Sequence, residues 1–168
     1  AASLTLQEKP DFKAAREAIK PAFNDEKTKN DPKTYFTAGM IGYTENDSYS
    51  KLMMLGKEVD QVKKGKAIME AYDYFLKAYK LDQMPNDKGK VKPKFDKKIK
   101  ENIKEFYTAQ YNLVGYGAHL FDKKDYKGAF DAFSTFLEIP KLPMMNKELS
   151  VTDSTYRMIK YFSPLAAT

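Results

Sequence analysis

Leu113-Val114-Gly115-Tyr116-Gly117-Ala118-His119-Leu120, then Tyr126, then Ala129-Phe130-Asp131-Ala132-Phe133, and finally Pro140, is the stretch on which the fold turns. Large apolar residues stand at Leu113, Tyr116 and Leu120, three and four apart, with a glycine beside them at Gly117. After a polar turn at Asp122-Lys123-Lys124-Asp125, bulk and smallness alternate again at Tyr126, Ala129 and Phe133. Apolar residues at that spacing line one face of a helix, so the stretch reads as helix, turn, helix. Its pattern is that of a repeat unit of about 34 residues, which cannot bury its apolar face alone and must stack on neighbours. A stack presents surface rather than a catalytic pocket, and the expected work is holding a partner.

The register recurs. Asp11 to Phe23, Lys66 to Leu81 and Asp125 to Ile139 each read as an amphipathic helix. Phe12, Ile68 and Tyr126 align, as do Ala15, Ala71 and Ala129, then Ile19, Phe75 and Phe133, then Ala22, Ala78 and Phe136. Helices of a second kind lie between them. Asp31-Pro32 is a start signal, and Thr34 to Tyr43, with Tyr35, Ala38 and Gly39, aligns with the helix of Leu113, Tyr116 and Gly117. The latter is expected to run from Asp96 to Phe121, and Asp153 to Ala167 reads as the opening of another helix. Two inserts stretch the pattern. Thr44–Lys64 passes from Glu45-Asn46-Asp47-Ser48 to Leu52-Met53-Met54-Leu55; Gln83–Lys94, rich in Pro, Gly and Lys, reads as loop. Segments of this length inside a domain are usually functional or mobile. The expectation is an all-α single domain over residues 1–168, read as a fragment of a longer chain.

Composition removes several chemistries. The 168 residues contain no cysteine and one histidine, His119, which excludes disulfides, thiolate catalysis, Cys-type zinc sites and paired-histidine metal sites. No apolar run reaches the roughly 20 residues of a membrane span. Gly115-x-Gly117-x-x-Leu120 lacks the third glycine and the preceding strand of a dinucleotide loop, and Lys63-Lys64-Gly65-Lys66 lacks the spacing of a phosphate-binding loop. Carboxylates are scattered among lysines, as from Glu101 to Glu105. No enzyme, cofactor or metal is expected. Net charge is +6, and a lysine run from Lys88 to Lys104 concentrates the excess. Nucleic acid is one reading of such a run, a solvated face the other; the scarcity of arginine, Arg16 and Arg157 alone, counts against nucleic acid. The eight methionines read as fillers of irregular gaps, with Met144-Met145 expected in an exposed loop.

The unit Leu113–Pro140 resembles a tetratricopeptide repeat, carried by Gly117, Tyr126, Ala129, Phe133 and Pro140. It departs at Leu113, where the family prefers Trp, and at Phe136, where it prefers Ala. With its inserts the chain is similar to the irregular repeat proteins common among exported bacterial proteins. The resemblance implies an α–α superhelix, a solenoid of antiparallel helix pairs with a concave face. It puts Lys33, Phe36, Met40 and Tyr43 of one unit on that face, and Tyr111, Val114, Ala118 and Phe121 of the other. An apolar, aromatic groove suits an amphipathic helix or an extended peptide, and a carboxylate-clamping subclass is not expected with Phe36, Met40, Val114 and Ala118 there. Residues 44–64 folding back into the groove are the alternative. The function expected is therefore a non-enzymatic scaffold for a protein or peptide partner, through the groove or the inserts. Two alternatives stand beside it: a small-ligand or glycan site stacking on Tyr35, Phe36, Tyr43, Tyr111 and Tyr116, and anionic-surface binding through Lys88–Lys104. The Ala1-Ala2-Ser3 start leans toward a periplasmic or exported domain, with the cytoplasm as the alternative; oligomeric state is left open.

Overall fold

Apolar residues at helical spacing, punctuated by Asp and Gly at the turns, give an all-helical structure. This computed structural model describes residues 10–109, 112–149, 155–157 and 159–161, and every regular element among them is helical. Helix α1 spans Phe12–Ile19 and runs into a 3-10 turn at Lys20–Phe23. Then follow α2 (Pro32–Met54), α3 (Gln61–Asp82), α4 (Asp96–Thr108), α5 (Leu113–Asp122) and α6 (Tyr126–Glu138). Two 3-10 turns, Ile139–Lys141 and Pro143–Met145, follow α6.

Two helical hairpins organise the chain, α2 with α3 and α5 with α6. Both turns end the first helix in the same way. In the first, Gly56 (φ 74°) sits in the left-handed region, its N–H donating to Met53 O while Lys57 N–H donates to Leu52 O. In the second, Lys124 (φ 62°) takes that place, with Lys124 N–H to Phe121 O and Asp125 N–H to Leu120 O. This pair of bonds satisfies carbonyls that a helix end leaves without partners. Asp60 and Asp125 then open α3 and α6, accepting from Val62 and Lys63 N–H in one case and Gly128 N–H in the other.

The hairpins close by bringing glycine against bulk. A Cβ on Gly39 would stand 2.6 Å from the Phe75 ring, and one on Gly117 would stand 2.5 Å from the Phe133 ring. Gly39 thus meets Phe75 in the first hairpin as Gly117 meets Phe133 in the second. Gly42 goes further: its Cβ would meet the backbone oxygen of Ala67 at 2.4 Å. Ile68, Ala71, Phe75, Ala78, Ala129 and Phe133 are all buried at these faces. Arg16 ties α1 to the first hairpin, its Nε donating to both Glu70 oxygens at 3.1 Å and its Nη2 to Glu45 at 2.5 Å.

Several boundaries differ from the sequence expectation. Residues 44–64, expected as an insert between the two helices, are mostly helix: α2 continues to Met54, α3 begins at Gln61, and the turn occupies only 55–60. The polar run Glu45 to Ser48 is half-buried helix in which Asn46 Nδ2 donates to Lys64 O at 3.0 Å. Both helices of the hairpin are therefore longer than expected. The expected helix from Asp96 to Phe121 is broken into α4 and α5. Thr108 Oγ1 donates back to Lys104 and Glu105 carbonyls, and Asn112 Nδ2 donates to Phe106 O. Side chains that take helix carbonyls compete with helix continuation, and Ala109 turns to extended backbone (ψ 95°). Met145, expected to be exposed, is fully buried. Gln83–Lys94 is loop, as read. Of the expected terminal helix from Asp153 to Ala167, residues 155–157 and 159–161 are helical, and the rest lies outside the described residues.

Glycine contacts of different rigidity should respond differently to a methyl group. Alanine gains about 1 kcal/mol over glycine in helix propensity, but at Gly42 the obstacle is backbone that cannot swing away. Gly42→Ala should lose about 1–3 kcal/mol net in urea unfolding. Gly128→Ala meets the Leu120 side chain and the Asp125 carboxyl that caps α6; disturbing that cap offsets the propensity gain, and the variant should be near neutral in the same assay. Lys124→Gly removes a left-handed non-glycine residue and should gain up to about 1 kcal/mol, read as a higher urea midpoint at unchanged slope.

Candidate functional site

Gly65 decides where the polar interior of this protein lies. A Cβ there would stand 2.1 Å from the Tyr116 ring, so α5 presses onto the first turns of α3. The neighbouring Lys64 is thereby left 3% exposed. Its ammonium donates to Asn112 Oδ1 at 2.7 Å, Asn112 Nδ2 donates to Phe106 O at 3.3 Å, and Asn46 Nδ2 donates to Lys64 O. Asn46, Lys64 and Asn112 thus form a buried polar chain from α2 through α3 to the α4–α5 break. No carboxylate lies within ion-pair distance of Lys64 among the described residues. Burial lowers its pKa from 10.5 to about 8, because the charged form loses water without gaining a counter-ion.

Lys64 and Asn112 line a cleft of about 340 Å3 together with Ser50, Met53, Met54 and Ala109. A smaller cleft of about 130 Å3 shares Ser50, Ala109 and Asn112 and adds Tyr43, Asn46, Asp47, Glu105 and Phe106. Burial raises the Tyr43 phenol, and a hydrogen bond with Glu105 adds to the shift. Beside the clefts the hairpin ends in an apolar tip, with Leu52, Met54 and Leu55 at 36%, 86% and 72% exposure.

The residues expected on a concave groove are placed as follows. Phe36 is half-buried, stacked on Phe95 at 4.9 Å and tilted against Phe75 at 6.0 Å. Met40 is half-buried, its sulfur accepting from Asn102 Nδ2 at 3.2 Å. Tyr43 packs on Phe75 at 6.2 Å. Helix α4 and the residue before it therefore cover this stripe, and residues 44–64 do not. Lys33 is exposed at the start of α2, beside Lys92 and Lys94 of the loop, in a separate cleft of about 300 Å3. Val114 and Phe121 are half-buried on α5, Phe121 edge-on to Tyr126 at 5.3 Å, while Ala118 is exposed. Tyr111 lies outside the described residues. The structure brings together Phe36, Met40 and Tyr43 and leaves Lys33 apart from them.

The other expected surfaces are also redistributed. Tyr35 and Tyr116 of the stacking alternative are buried, and the Tyr35 hydroxyl donates to Lys29 O. The lysine run divides: Lys88 to Lys98 are exposed, whereas Lys100 and Lys104 both pair with Glu148. These two ammonium groups hold the Glu148 carboxyl down at about 2.

Sequence reasoning missed Asn46, Lys64 and Asn112. The available signal was Gly65, a lone glycine inside a helical pattern, which often marks a close approach. Among the described residues no group of three or more His, Asp or Glu side chains is placed to hold a metal ion. No helix among them is long and apolar enough to cross a membrane. Comparison of the chain with family models, with curated proteins and with solved structures finds no match.

The lowered Lys64 pKa makes stability depend on pH with a definite sign. Between about pH 8 and the ordinary lysine range the folded state holds fewer protons than the unfolded one, so stability rises with pH. Below about pH 8 both states are protonated and the cost of burial is constant. Raised tyrosines such as Tyr43 and Tyr72 act with the opposite sign, and only above their ordinary 10.0. Urea unfolding of Lys64→Met between roughly pH 7 and 10 should lack the rise, on the order of 2 kcal/mol, that the parent chain shows.

Proposed function

We propose that this chain is a non-enzymatic, tetratricopeptide-like scaffold whose hairpins stack as in a solenoid and which binds an apolar segment of a protein partner. The repeat reading is supported by the paired close approaches Gly39–Phe75 and Gly117–Phe133 and by the shared turn geometry at Gly56 and Lys124. The binding reading rests on one observation, the apolar tip of the α2–α3 hairpin at Leu52, Met54 and Leu55, next to a cleft lined by Met53 and Met54. Clustered exposed apolar side chains beside a cleft are the usual mark of an interaction site. The stripe of Phe36, Met40 and Tyr43 is engaged by Phe95, Asn102 and Phe75, so a partner reaches the tip more readily than the stripe.

Selection of a displayed peptide library against the chain tests this. Peptides with apolar anchors at helical spacing should emerge, and Leu52→Lys with Leu55→Lys should weaken them about tenfold or more at an unchanged unfolding midpoint. Equal binding to the double variant removes the tip as the site, and a selection that never rises above background removes the scaffold reading.

A further inference from the structure

The cleft between the hairpin end and the α4–α5 break has two unlike walls. Met53, Met54 and Ala109 supply apolar surface, while Lys64 and Asn112 supply a buried ammonium and its amide partner. A buried cation without a counter-ion is costly, and the usual remedies are an acidic neighbour or a ligand. The neighbour is lacking: the Lys64 ammonium bonds only a neutral amide oxygen among the described residues. Tyr116 against Gly65 and the Asn46 bond to Lys64 O fix the backbone of that lysine, and the bond from its ammonium to Asn112 Oδ1 ties the side chain to another residue of the cleft wall.

We infer that this cleft is a binding site for a small apolar monocarboxylate, a free acid whose carboxylate pairs with Lys64 and whose hydrocarbon stem lies against Met53, Met54 and Ala109. The volume of about 340 Å3 is at the small end of ligand pockets and suits a short stem. Methionine walls adapt to flexible chains. Asp47 and Glu105 line the adjoining smaller cleft and repel a second negative charge, which selects a monoanion over a phosphate. The site uses none of the groove residues and shares Met54 with the apolar tip; Leu52 and Leu55 do not line it, so Leu52→Lys with Leu55→Lys tests the tip and Lys64→Met tests the cleft.

Methyl-13C methionine labelling of the whole chain provides the readout. Octanoate should shift the Met53 and Met54 methyl resonances saturably, and octan-1-ol, of equal length without the charge, should bind about tenfold more weakly or worse. Lys64→Met should abolish that preference, and Lys64→Gln provides a second test if the first variant does not fold. Equal responses to octanoate and octan-1-ol overturn the proposal without any variant, as does a response confined to Met40, Met69 or Met84. So does no response up to the solubility of octanoate. A leucine-terminated hexapeptide with a free carboxylate, compared with its amide, separates the sources of the same chemistry. If the free peptide displaces octanoate and the amide does not, the natural occupant is a chain terminus and the free-acid assignment is lost.

Discussion

Close approach of helix backbones is the constraint from which the rest of this structure follows. Where Gly39 faces Phe75, Gly117 faces Phe133 and Gly65 faces Tyr116, an aromatic ring fills the space a Cβ would take. Each contact lets a large apolar ring be buried against backbone, burying more apolar surface than two medium side chains would. At Gly42 the two helices of the first hairpin come so near that main-chain atoms of Ala67 and Ala71 lie opposite. The spacing set there places Asn46 one turn on, within reach of the Lys64 carbonyl. The approach at Gly65 in turn encloses Lys64, and the clefts lie where this tight packing ends.

Polar groups then do what apolar packing cannot: they fix direction. Arg16 joins three helices by binding Glu45 and Glu70. Asn112 ends one helix, stands before the next and holds Lys64. Buried polar groups with defined partners specify a geometry more sharply than they add stability. The sequence distributes these roles among residues far apart in the chain, and that separation is why they are hard to foresee.

The repeating register was legible because it is local. Ala71, Phe75, Ala129 and Phe133 announce a helix face through their spacing, and the glycines opposite them announce close packing. Gly56 and Asp60, a helix stop and a helix start, were also there to be read, and they bound the turn inside what the repeat pattern makes an insert. A half-buried helix that hydrogen-bonds its neighbour looks, in composition, like a loop. The break between α4 and α5 was not legible from spacing, since Ile103, Phe106 and Leu113 keep a plausible helical rhythm across it. Its side-chain bonds, from Thr108 and Asn112 to helix carbonyls, leave the apolar spacing unchanged, and Asn112 there also meets Lys64, 48 residues distant. Likewise Phe36, Met40 and Tyr43, which the repeat resemblance puts on one face, do lie together, but what covers them is a matter of tertiary placement.

The carboxylate of Asp82 has a consequence for how this chain tolerates change. Buried at the end of α3, it accepts the backbone N–H groups of Lys94, Phe95 and Asp96 at 2.8–3.0 Å. It therefore clamps the beginning of α4 directly to the end of α3, so that the relation of the two helices does not rest on the exposed connection alone. The entropy of closing such a connection grows only slowly with its length. The stretch from Gln83 to Pro93 is thus a place where sequence can be lengthened, shortened or exchanged while the helices on either side keep their relation. At this connection new surface can be acquired without renegotiating the core.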